Sequence, residues 1–173
     1  MNNLEQTYEI ILEELKKTCS RIESFSQIRR PKLSNLELTA LNITAEYMSY
    51  NTELRFFGAI KGTYLEDKIE RSVYNKRRRK LAGYIEKIRQ CLSQKFSCLS
   101  NLFIVDSTPV EICKYSRAKR SNICATADIR PNFGYCASQK KRYFGYKLHA
   151  VCDENAVIRS FDLTPANVRH QLP

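Results

Sequence analysis

The hydrophobic pattern changes near residue 98, and this change constrains the fold more than any other feature of the 173-residue chain. Before it, apolar residues such as Leu4, Tyr8, Leu12 and Leu15 recur at the spacing of an amphipathic helix. After it, β-branched and aromatic runs are separated by turn residues, which is typical of strands. The sequence therefore predicts an α+β protein, with a helical region over 1–97 and a sheet-containing region over 98–173.

Two capping-box patterns mark helix starts in the first region. Ser34 and Glu37 have the spacing in which each side chain accepts from the other residue's backbone N–H group. A shorter helix is expected over 52–60. Thr63 and Glu66 repeat the same spacing. They predict one long helix that runs from there to about residue 96.

Five consecutive cations interrupt the apolar stripe of this long helix. They are Lys76, Arg77, Arg78, Arg79 and Lys80. Successive residues lie about 100° apart around a helix, so the run must surround most of the circumference, and we expect it to lack a buried face. The run could be a solvated face, but like charges repel at short range and phosphates offset that cost. We therefore expect this run to contact nucleic acid.

Three strands are predicted in the second region, over 102–108, 143–152 and 156–163, and the last two are close enough to form an antiparallel hairpin. The connection over 111–147 carries nine cations against two anions, which accounts for most of the net charge of +11. Such an excess favours nucleic acid as a partner, although a basic surface can also serve solubility alone.

Three polar positions on these strands are candidate site residues. Asp106 lies in an apolar run, where it is either an exposed carboxylate at a strand end or a ligand for Mg²⁺. Lys147 and His149 share one face of the second strand, where they would suit an anionic substrate or form the solvated face of the sheet. Asp162 is expected to cap the segment that follows the third strand rather than to bind metal.

Cysteine usage and hydropathy exclude several classes of protein. The seven cysteines include no C-x-x-C pair, and only two histidines accompany them, so no zinc-site spacing is present. We expect reduced thiols in a cytoplasmic protein. No apolar run approaches the roughly 20 residues needed to cross a bilayer, and the N-terminus lacks the pattern of a signal peptide, so no membrane partner is expected.

Several motifs together resemble bacterial insertion-sequence transposases of the DDE class. The motifs are E-D-K-I-E-R-S-V-Y-N-K-R-R-R-K-L at 66–81, I-V-D-S-x-P-V at 104–110, G-Y-C-A-S-Q-K at 134–140, Y-x-G-Y-K-L-H-A-V-C at 143–152 and S-F-D-L-T-P-A-N-V at 160–168. The resemblance implies a helical DNA-binding region followed by a partial RNase H-like domain, whose sheet opens with three antiparallel strands.

The resemblance also implies site residues and a cofactor. It makes Asp106 the first catalytic aspartate and a metal ligand. Intact family members cut and join DNA at insertion-sequence ends, using two Mg²⁺ (or Mn²⁺) ions held by Asp, Asp and Glu. Double-stranded DNA is the implied partner, and the basic run over 76–80 is a candidate contact. Further candidate DNA contacts are Lys140, Lys141, Arg142, Lys147 and His149.

The sequence departs from the family pattern after T-P-A-N-V. His170 stands where the second metal-binding Asp is expected, and no catalytic Glu follows. We therefore expect a truncated or frameshifted transposase that is inactive and does not hold the metal stably. It would be a bacterial, nucleoid-associated protein whose partners include intact transposase or a second copy. The alternatives are a non-catalytic nucleic-acid-binding module that competes with or regulates intact transposase, and an RNA-associated basic protein.

Overall fold

The computed structural model describes residues 3–22, 31–96 and 102–168. The chain divides into two compact units, Met1–Lys95 and Phe96–Pro173. The described part of the first unit is helical, and the second contains an antiparallel sheet, which confirms the α+β class. The helices are α1 (Asn3–Cys19), α2 (Asn35–Tyr47), α3 (Glu53–Ile60), α4 (Arg71–Lys80) and α5 (Ala82–Lys95). The strands are β1 (Phe103–Cys113), β2 (Asn132–Cys136), β3 (Lys141–Asp153) and β4 (Ile158–Pro165), with 3-10 turns at Glu66–Lys68 and Tyr115–Arg120.

The core of the helical unit is built from the apolar stripes of its helices. The stripe of α1 is buried as its spacing predicts, and it belongs to the same cluster as Leu38 and Leu41 of α2. Phe56 of α3 and Tyr74 of α4 join this cluster with their ring centres 5.9 Å apart. Burial of these side chains supplies the main favourable free energy of folding for this unit.

The first capping box forms as its sequence predicts. The Glu37 N–H group donates to Ser34 Oγ at 3.2 Å, and the Ser34 N–H group donates to Glu37 Oε2 at 2.6 Å. Two donors at the N-terminus of α2 therefore have side-chain acceptors, which fixes the start of this helix.

The prediction of one long helix opening at Thr63 is wrong. Thr63 Oγ1 donates to the Ile60 carbonyl oxygen at 2.6 Å, and Glu66 Oε2 accepts from the Gly62 N–H group at 2.8 Å. These two side chains thus satisfy groups at the end of α3, and a 3-10 turn follows before α4 begins at Arg71. The rest of the predicted long helix is divided into α4 and α5, with Leu81 between them.

Strand β3 is the centre of a four-stranded sheet, one strand more than predicted. β1 pairs with one edge of β3, and β2 and β4 pair one after the other along the opposite edge, each antiparallel to β3. The predicted hairpin of the last two strands is confirmed. β1 continues beyond Pro109 to Cys113. A proline without an N–H group is tolerated there because β1 pairs on one side only among the described strands.

A buried carboxylate closes the hairpin between β3 and β4. Asp153 is 1% exposed, and its Oδ1 accepts from the N–H groups of Asn155 at 3.0 Å and Val157 at 2.9 Å. Arg159 Nη2 lies 2.8 Å from Asp153 Oδ2. The turn is therefore held by a charge with both hydrogen-bond and ionic partners, the condition under which burial of a carboxylate is tolerated.

Replacing Ser34 with alanine tests the capping box. Loss of the Oγ acceptor leaves the Glu37 N–H group without its side-chain partner, so the free energy of unfolding should fall by about 1 kcal/mol. Urea denaturation followed by circular dichroism measures the change. Ser72→Ala, at an exposed serine of α4, is the matched control and should stay within about 0.5 kcal/mol of the parent. Equal losses in the two variants would contradict a specific capping role.

Candidate nucleic-acid interface

Helix α4 is amphipathic in spite of its charge. Tyr74 and Arg77 are buried, whereas Lys76, Arg79 and Lys80 are exposed. The expectation that the basic run lacks a buried face is therefore wrong. The apolar stripe continues through the run, with a guanidinium at the position where the spacing places a core side chain.

The Arg77 guanidinium is held by acceptors that lie far from it in the sequence. Its Nη2 donates to the Leu33 carbonyl oxygen at 2.9 Å and to Asn35 Oδ1 at 3.0 Å. Burial lowers the pKa of this guanidinium, and the nearby Glu37 carboxylate opposes that effect. With 8% of its surface exposed, Arg77 is placed for packing α4 against the start of α2. This position gives no support to the predicted DNA contact by Arg77.

Arg78 is also turned toward α2. Its Nη1 lies 3.4 Å from Asn42 Oδ1 and 4.0 Å from Glu46 Oε1, and its guanidinium carbon lies 6.0 Å from the centre of the Tyr74 ring. The Tyr74 hydroxyl donates to the same Asn42 oxygen at 3.1 Å. The side chain of Arg78 is still 39% exposed, so it borders the solvent face without belonging fully to it.

The exposed cations of α4 form one surface, which we call the α4 basic face and define as Lys76, Arg79 and Lys80. Their three- and four-residue spacing places them on the same side of the helix. The helix contains no acidic residue. Cations in a last helical turn also interact favourably with the helix dipole, so part of this pattern serves stability. What remains is a dense positive surface that is open to solvent.

Separate substitution of Arg77 and Arg79 should distinguish packing from surface charge. Arg77→Met leaves the Leu33 carbonyl and Asn35 Oδ1 without their donor, so the free energy of unfolding should fall by about 1–3 kcal/mol. Arg79→Met removes the same charge from an exposed site and should change stability by no more than about 0.5 kcal/mol. Urea denaturation of both variants checks this, and equal effects would contradict a packing role for Arg77.

Asp106 lies in the first half of β1 and is exposed. The β-sheet register places it opposite Ala150 of β3, which in turn lies opposite Phe161 of β4. Asp106 Oδ1 accepts from the N–H group of Ser107 at 2.7 Å. The carboxylate is therefore accessible, on a strand whose outer edge pairs with no other described strand.

The described residues do not fit a metal centre. Within 3–22, 31–96 and 102–168, no group of three or more His, Cys, Asp or Glu side chains could hold an ion. Asp162 lies inside β4 rather than at its end, opposite His149, and alternation puts it on the face opposite to Asp106. Its Oδ1 accepts from the Leu163 N–H group at 2.8 Å, so its predicted role as a cap for the following segment is replaced by a contact within the strand. His170 lies outside the described residues.

The candidate DNA contacts of the sheet unit differ in their surroundings. Lys140 is exposed at a positive φ of 49° before β3, and Lys141 Nζ pairs with Glu111 Oε2 at 2.6 Å. His149 Nε2 lies 2.9 Å from Thr164 Oγ1. The structure brings Arg142 and Lys147 together at one cleft.

This cleft, which we call the β2 cleft, has a volume of about 640 Å³. The residues that line it include Arg142 and Lys147 and three aromatic side chains, Tyr115, Phe133 and Tyr135. Sequence reasoning considered only the charge of this connection and missed these rings. The three rings lie within the basic connection, but the sequence alone does not show that β2 brings them together.

Residues 98–170 match the family model described as a transposase DDE domain. This segment is therefore similar to the transposase DDE domain. The chain matches no curated protein and no solved structure. The match covers the whole sheet and Asp106, so the predicted resemblance to DDE-class transposases is confirmed.

The similarity to this domain connects the sheet to DNA. DDE transposases act on DNA and generally use a divalent metal, and the strand order found here is consistent with the opening part of an RNase H-like domain. Among the described helices, none is long and apolar enough to cross a membrane.

Proposed function

We propose that this chain is a transposase-derived DNA-binding protein that contacts duplex phosphates through the α4 basic face. The observation that supports this most is the projection of Lys76, Arg79 and Lys80 from one side of a helix without acidic residues. Cations that approach phosphates release condensed counterions from DNA, which favours binding. The DDE domain downstream of this helix provides an independent reason to expect a DNA partner.

Asp106 is proposed as the first carboxylate of the family's catalytic set. It is exposed in the first half of β1, which is the first described strand of the matched domain. The described residues contain no group of three or more His, Cys, Asp or Glu side chains that could hold a metal ion. They therefore support binding without cutting, because phosphodiester transfer in this family depends on three acidic ligands acting together.

Binding without cutting suggests a regulatory role. A chain that occupies insertion-sequence ends and leaves them intact would compete with an active transposase for the same DNA. A second copy or an intact transposase is the proposed protein partner. We also propose a bacterial, nucleoid-associated location, because the proposed partner is DNA. A non-catalytic competitor needs only a DNA-binding surface, and the exposed cations of α4 are the proposed one.

Removal of the α4 basic face should weaken duplex binding and reduce its dependence on salt. Each lost phosphate contact lowers the slope of log K against log [salt] by about 0.9, so the combined variant Lys76→Ala, Arg79→Ala, Lys80→Ala should lose about 2–3 units of slope. Fluorescence anisotropy with a 30-base-pair duplex, titrated from about 50 to 200 mM salt, measures both quantities.

The matched control changes the same number of charges elsewhere in the helical unit. Lys16, Lys17 and Lys61 are exposed and lie outside α4, and their combined replacement by alanine should leave most of the slope intact. Equal losses in the two triple variants would show that net charge alone drives binding and would contradict a defined interface. Tighter binding to an RNA duplex than to DNA of the same sequence would favour the RNA-associated alternative.

Asp106→Asn separates binding from chemistry. The substitution keeps the size of an exposed side chain and removes a negative charge, so duplex affinity should stay unchanged or rise slightly, and the free energy of unfolding should change by no more than about 0.5 kcal/mol. Supercoiled plasmid incubated with Mg²⁺ or Mn²⁺ should be nicked no faster by the parent polypeptide than by the variant. A large loss of affinity would indicate a structural role for Asp106, and nicking by the parent alone would contradict binding without cutting.

A further inference from the structure

The sheet unit has two distinct sets of aromatic side chains. Tyr143 and Tyr146 of β3 are buried. Tyr115, Phe133 and Tyr135 remain 43%, 38% and 59% exposed, and all three line the β2 cleft. Large rings left accessible together in a concave site are typical of binding surfaces rather than of a folding core.

Two of the three rings of the cleft, those of Tyr115 and Phe133, are held in place by aromatic neighbours. Phe133 and Phe144 are opposite each other in the pairing of β2 with β3, and their ring centres are 4.8 Å apart. Tyr115 meets Phe133 edge to face at 5.3 Å. A ligand that stacks on Tyr115 and Phe133 would find these two rings largely ordered already, which reduces the entropic cost of binding.

The charge of the cleft is positive. Arg142 lies opposite Tyr135 in the strand pairing, and Lys147 Nζ donates to the Val168 carbonyl oxygen at 3.0 Å on the same cleft wall. Among the side chains that line the cleft in the described part of the chain, none is acidic. Aromatic faces beside cations match a ligand that has flat rings and an anionic backbone.

A volume of about 640 Å³ is within the usual range of small-ligand sites, and the cleft is open to solvent along its exposed rings. Bases inside a duplex are stacked on one another, so their faces are not available to protein side chains. Unpaired bases do expose those faces, and aromatic platforms with neighbouring cations are the usual means of binding them.

We infer that the β2 cleft binds unpaired nucleotides of single-stranded DNA, with Tyr115, Phe133 and Tyr135 stacking on the bases and Arg142 and Lys147 contacting the phosphates. This inference rests on the proposed DNA binding and adds a second surface to it, because the α4 basic face contains none of these residues. The cleft would act where a DNA substrate exposes a single-stranded end or a locally opened segment.

The experiment compares three probes with the full chain: a blunt 20-base-pair duplex, and the same duplex with a five-nucleotide extension at either the 5′ or the 3′ end. Each extension carries one 2-aminopurine, whose fluorescence falls on stacking. The parent should bind an extended duplex about tenfold more tightly than the blunt one and quench the probe. The combined variant Tyr115→Ala, Tyr135→Ala should lose this advantage and the quenching, with blunt-duplex affinity unchanged within about twofold.

Tyr135→Phe is the matched control, because it keeps the ring and removes only the hydroxyl group, and it should retain both the advantage and the quenching. Circular dichroism melting of each variant verifies that it is folded. The inference is overturned if neither extension improves binding, or if the alanine variant loses blunt and extended duplex equally. Failure of the proposed function looks different, because the blunt duplex would then not be bound by the parent at all.

Discussion

The buried guanidinium of Arg77 determines how the helical unit presents its charge. By donating to Leu33 and Asn35, it allows a helix with four cations in its last turn to pack against α2 as though it had a conventional core stripe. The orientation of α4 then follows, and with it the outward direction of Lys76, Arg79 and Lys80. A buried guanidinium that donates two hydrogen bonds thus helps to direct the exposed cations outward, since rotation of the helix would bury other cations in its place.

Sequence reasoning succeeded where the decisive contacts are local. The Ser34 capping box involves residues three positions apart, and the hairpin of β3 and β4 needs only a short turn between two apolar runs. The pattern at Thr63 and Glu66 is the same as at Ser34, but the carbonyl of Ile60 and the N–H group of Gly62 compete for those side chains. Local spacing alone does not reveal which of two helix ends a capping residue will serve.

The features that the sequence did not predict depend on residues that are far apart in the chain. Arg77 lies on the apolar stripe that the sequence predicts, yet its acceptors are more than 40 residues away in the chain. β2 is five residues long and contains asparagine and glycine, which have low strand propensity, and it forms because an edge of β3 is available to pair with it. At the candidate site, Asp106 was placed correctly on a strand, whereas the ring-lined cleft required knowledge of that additional strand.

Two glycines lie where neighbouring backbones of the sheet unit approach each other closely. A Cβ atom on Gly134 would lie 2.6 Å from the Ala166 carbonyl oxygen, and one on Gly145 would overlap the Val110 carbonyl oxygen. Even a single methyl group would therefore force backbones apart, at Gly134 between β2 and the residue that follows β4, and at Gly145 between β3 and β1. Variation among related sequences should be unequal as a result: surface cations can be exchanged one at a time with graded effects, whereas these two sites tolerate nothing larger than hydrogen.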